Sequence, residues 1–113
     1  MSEKVNQRNR TVLYAAFTLA TRDGLRNITR ESVAAEAGVS VGSVSNSFLT
    51  MDGLRAAVLR YAIDLVSTSK VAAESISGAL GIIAAALAER DPVALSAPAI
   101  VKARALESLA LAA

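Results

Sequence analysis

The chain has no cysteine and no histidine. Without cysteine there is no disulfide framework and no thiol nucleophile. Without histidine, the commonest metal ligand and the commonest general base are both missing. No paired-carboxylate constellation replaces them, so the residues offer no catalytic set. They point away from an enzyme, and neither a metal nor a cofactor is expected. Aromatic residues are scarce, at 4%. The apolar share is nevertheless 53% of 113 residues, supplied mainly by Ala, Val, Leu and Ile. That share excludes disorder by composition. The mixture favours close-packed helices over a sheet. The polar, basic start MSEKVNQRNR is not followed by the apolar core of a signal peptide. The longest apolar run, Ile76 to Ala88, falls short of the roughly 20 residues needed to span a bilayer. A soluble cytoplasmic protein with no membrane partner is the expectation.

What charge there is lies unevenly. Residues 1–30 hold six Lys or Arg against two acids, whereas residues 31–113 hold six against eight. A basic head on an acidic body suggests a polyanion at the head. A solvated surface with chance asymmetry accounts for the same numbers equally well.

Helical periodicity runs through the whole chain. Leu13, Ala16, Phe17 and Ala20 make one stripe of a first helix, from about residue 6 to Asp23, with Gly24 as its left-handed end. Thr29 caps a short second helix, Arg30 to Ala37, with Val33 and Ala37 inward. Gly38 breaks it, Val39 plugs the turn and Ser40 caps a third helix, Val41 to Ser47. Val44 and Phe48 are its core residues, and Val41 is placed opposite them. Thr50 caps a fourth helix with Leu54, Val58, Tyr61, Ala62 and Leu65 buried; whether it ends at Ser67–Ser69 stays open. Residues 71–90 form a fifth, striped by Ile76, Leu80, Ile83 and Leu87 and stopped by Asp91–Pro92. Pro98 opens a sixth, with Ala99, Ala103, Leu106 and Ala110 on its apolar face.

Two short helices joined through Ala37-Gly38-Val39-Ser40 are a helix-turn-helix signal. Glycine takes the backbone through the turn, and the apolar residue after it fills the gap between the helices. The second helix is then free to enter a major groove about 12 Å wide.

From Gly24 to Phe48 the sequence, GLRNITRESVAAEAGVSVGSVSNSF, resembles the DNA-binding head of the TetR family of transcriptional regulators. The start of the fourth helix, Leu54-Arg-Ala-Ala-Val-Leu, fits as well, so the resemblance covers roughly residues 8–62. It implies an all-α fold with a three-helix helix-turn-helix head, residues 1–50; the helices that follow, residues 51–113, read as a small C-terminal bundle whose excess apolar face suggests a connector and dimerisation region. It implies double-stranded DNA as partner, with a palindromic operator bound by a homodimer and repression as the outcome. It also implies phosphate contacts from Thr29 and Arg30. The surface facing DNA would consist of Ser40, Val41, Gly42, Ser43, Ser45, Asn46 and Ser47. Among these, the Asn46 amide is the best reader of adenine, and Val41 suits a thymine methyl.

The chain departs from that pattern in three places. Ser45 stands where the family often has Tyr, Met51 where it often has Lys, and Arg30 where an apolar residue is common. The third helix carries no charge. Lys4, Arg8 and Arg10 could supply the missing phosphate contacts. The alternative is an interaction or architectural module on the same fold with weak DNA affinity.

The short C-terminal part argues against a small-molecule inducer, because two or three short helices rarely enclose a pocket of ~300 Å³. The small residues Gly78, Ala79, Gly81 and Ala84–Ala86 suggest close helix approach across a dimer. The final Leu109-Ala-Leu-Ala-Ala resembles the end of a bacterial degradation tag read by an ATP-dependent protease. An Ala-rich helix running out is the plainer reading.

Overall fold

The computed structural model describes residues 3–68 and 73–112, with side chains for 6–68 and 73–110. Lys4's side chain, Ser69, Ala113 and the side chains of Leu111 and Ala112 therefore lie outside the described residues. Among the described residues every regular element is helical. In chain order these are α1 (Glu3–Asp23), a 3₁₀ turn (Leu25–Asn27), α2 (Arg30–Ala37), α3 (Val41–Ser47), α4 (Met51–Thr68), α5 (Ala73–Ala88), α6 (Pro92–Leu95) and α7 (Ala99–Ala112). None of these helices is long and apolar enough to cross a membrane.

Two compact units share the chain, residues 1–58 and 59–113. The division falls inside α4. The first turns of α4 belong with the head because Leu54 and Val58 are fully buried. Arg55 also reaches back to the carbonyls of Leu25 and Ile28, at 3.3 Å each.

In the first unit, α1 packs on α2 and α3. Val12, Ala16, Leu19 and Ala20 supply its inner face, and Ile28, Val33, Ala34 and Val44 answer from the other side of the core. Ala34, not Ala37, accompanies Val33 inward. Gly24 does end α1, but at φ 95°, ψ 140°, outside the left-handed helical well. That conformation still suits glycine, and it feeds the 3₁₀ turn, which the sequence pattern did not reveal.

In the second unit, α5 packs on α7. Ala79, Ile82, Ile83, Ala84 and Ala86 form the buried side of α5, while Ile76, Leu80 and Leu87 flank it half-buried. Of the small residues expected across a dimer, Ala79, Ala84 and Ala86 are buried within the chain, Gly78 is half-buried, and Gly81 and Ala85 are exposed. On α7 the expected face is inverted: Val101 and Ala105 are buried, whereas Ala99, Ala103, Leu106 and Ala110 point outward. An Ala-rich helix has little contrast between its sides. The side bearing Val101 and Ala105 packs inward, while the alanines of the other side have little apolar area to lose to water. Arg104 ties α7 to the end of α4 through the Val66 carbonyl, at 3.4 Å.

Two helix ends share one backbone solution with opposite residue choices. At the end of α2, Gly38 (φ 71°) sits in the left-handed well, with Gly38 N–H on the Ala35 carbonyl and Val39 N–H on the Ala34 carbonyl. At the end of α5 the same pair of bonds runs from Arg90 to Leu87 and from Asp91 to Ala86, but the left-handed residue is Arg90 (φ 58°). Both are Schellman ends. A Cβ on Gly38 would meet no atom within 4 Å, so a side chain there costs only backbone strain. Gly38→Ala should therefore lower unfolding free energy by about 1 kcal/mol, and Arg90→Gly should raise it by about 0.5–1 kcal/mol. Urea titration followed by circular dichroism measures both; equal midpoints for the two variants would refute the assignment.

Candidate nucleic-acid interface

The helix-turn-helix is assembled by hydroxyl caps. Thr29 Oγ1 accepts the Ser32 N–H at 3.0 Å, while the Thr29 N–H donates to Ser32 Oγ at 2.9 Å. This is a reciprocal capping box with serine in the place more often held by Glu or Gln. Ser40 caps α3 in the same manner, accepting the Ser43 N–H at 3.1 Å, and the two hydroxyls lie 3.0 Å apart. Three of the expected DNA-facing residues, Thr29, Ser40 and Ser43, are therefore structural caps first.

Val44 is fully buried and Phe48 half-buried. They hold α3 by one side. Gly42 and Asn46, four residues apart, are exposed on the other side. Among the described residues the Asn46 side chain makes no hydrogen bond. Val41 is 41% exposed, but it is not opposite the core face. A spacing of three residues puts it about 60° from Val44 around the axis. Its exposure comes from standing in the first turn.

Ser45 and Ser47 do what the sequence did not suggest: each holds an arginine from another helix. Arg30, at the start of α2, donates from Nη1 to Ser45 Oγ at 3.1 Å and from Nη2 to the Leu49 carbonyl at 3.2 Å. Arg8, on α1, donates from Nε to Ser47 Oγ at 3.0 Å. No local pattern announces these bonds, because the partners are 15 and 39 residues apart. A third arginine, Arg55, also escaped the sequence reading. It straps the turn ahead of α2 and approaches Asp52 at 3.5 Å. Met51, where the resemblance would place a cation, is half-buried at the head of α4.

The second unit carries open hollows. One of about 370 Å³ is bordered by Ile63, Val93 and Ala97, with Arg60 and Ser96 as polar groups. Another of about 340 Å³ lies beside Leu87, Lys102, Leu106 and Leu109. Both hollows are open to solvent and not enclosed.

Comparison of the chain with family models, with curated proteins and with solved structures gives no match.

Proposed function

We propose that the protein is a sequence-specific DNA-binding regulator of transcription. It acts as a repressor, placing α3 in the major groove of a palindromic operator as a homodimer. One observation carries the reading. The short helix α3 is held inward by Val44, presents Gly42 and Asn46 outward, and is flanked by arginine side chains from α1 and α2. Such a rod fits a groove whose width matches a helix, and the basic flanks suit the phosphates beside it. Asn46 is the base reader, since its amide can bond adenine at N6 and N7 together. Thr29, Ser40 and Ser43 set the helix starts and approach the backbone only secondarily. Occupancy of an operator by such a head obstructs transcription, which favours repression.

The uncharged surface of α3 and the apolar Met51 favour a second reading, an interaction module on this fold. The two part company in selection of binding sites from random duplexes. A DNA reader enriches a defined site, and Asn46→Ala then loses about 1–3 kcal/mol of discrimination at one base step. A selected site identical for wild type and Asn46→Ala removes Asn46 from the reading surface. Absence of any enriched site supports the interaction module.

The dimer is assigned to the outward side of α7. There Ile100 (69% exposed), Leu106 (53%) and Leu109 (55%) border Ala99, Ala103 and Ala110. Two linked heads read two half-sites one helical turn apart, which a palindrome presents. A paired Ile100→Glu and Leu106→Glu change should leave a monomer by sedimentation and reduce affinity to that of a half-site. Wild-type protein that sediments as a monomer at micromolar concentration contradicts this assignment.

A further inference from the structure

We propose that Arg8 and Arg30 form a two-sided phosphate clamp, each side armed by a serine of α3. The inference rests on α3 being the groove-entering helix. Ser45 and Ser47 are two positions apart on that helix, which separates them by about 160° around its axis. The guanidinium groups they hold therefore lie on opposite flanks of α3, one brought by α1 and one by α2. A helix with its side chains is about 10–12 Å across, and the major groove is about 12 Å wide. Groups on the two flanks of a helix in the groove consequently stand at its two rims, where the phosphates of the two strands run.

The chemistry of the anchors supports this role. A guanidinium has five N–H donors. Arg8 commits one to Ser47, and Arg30 commits two to Ser45 and the Leu49 carbonyl. The remaining donors are available to an anion. Every one of these acceptors is neutral, so the cation is positioned without being neutralised. Among the described residues neither arginine has a carboxylate partner. A fixed planar fork also loses less conformational freedom when it binds than a free side chain does. Ser45 and Ser47 are therefore positioning residues: they do not touch DNA themselves but hold the groups that do.

Salt titrations of binding to a random-sequence duplex, from about 50 to 200 mM, test the clamp. Arg8→Gln and Arg30→Gln should each flatten the slope of log K against log salt by about one unit, and the double variant by about two. Base preference in site selection should be unchanged by any of them. Ser45→Ala and Ser47→Ala keep the charge, so their slopes should match the wild type while affinity falls about two- to tenfold. Arg30→Lys guards against misfolding, since it should restore the slope without the full affinity. Wild-type slopes in both Gln variants overturn the clamp while leaving the DNA reading in place. Flattening from only one arginine overturns its two-sidedness. A wild-type protein that shifts no duplex even at low salt overturns the DNA reading and the clamp together.

Discussion

A helix of seven residues does not hold itself together in water. Nucleation is costly, and isolated helices shorter than about 12 residues are marginal even with good formers. The segment from Val41 to Ser47 has glycine, serines and asparagine in place of good formers. Its existence therefore depends on burial of Val44, with Phe48 beside it, and on the Ser40 cap. The α1 and α2 faces that receive Val44 give the head its shape. Without that contact there is no outward face on α3, no fixed place for Ser45 and Ser47, and no reason for Arg8 and Arg30 to converge on one helix.

Punctuation and burial signals differ in how far they can be read from residue order alone. The bounds of α2 and α3 were legible because Thr29, Gly38 and Ser40 act on their own neighbours within three or four residues. A cap or a left-handed turn is a local event, and local events leave local marks. The choice of buried face was legible where side chains differ strongly, as with Val33, Val44 and Leu54. It was misread on α7, where alanines surround the axis and the apolar stripe Ala99–Ala103–Leu106–Ala110 turned outward. Alanine gives little apolar area to either side, so the side that packs is set by the partner helix as much as by the stripe, and that is a property of two helices. The Arg90 turn was hidden for a related reason: glycine marks a left-handed end, and arginine does not.

The candidate surface divides in the same way. Gly42 and Asn46 follow from spacing relative to Val44. The uses of Ser45 and Ser47 do not, because they are bonds between elements that only the packing of α1, α2 and α3 brings together. Resemblance to a family flagged Ser45 and Arg30 as two separate departures. The 3.1 Å bond between them makes them one feature. A small hydroxyl at position 45 leaves space for a long cation arriving from position 30, so each departure supplies the reason for the other.

On the proposed DNA reading, an arrangement of this kind separates two tasks that a basic recognition helix would combine. Attraction to phosphates is long-ranged and indifferent to sequence, whereas base reading depends on the placement of a few donors and acceptors. If α3 enters the groove as proposed, charges on the helix itself would draw it toward phosphates in many orientations, in competition with the pose proposed for Asn46. Moving the charge to Arg8 and Arg30, and fixing it with neutral serines, confines attraction to the flanks. The face between them stays uncharged. In that reading, orientation would be set by the scaffold before any base is met, and discrimination would be left to a surface free of competing attraction.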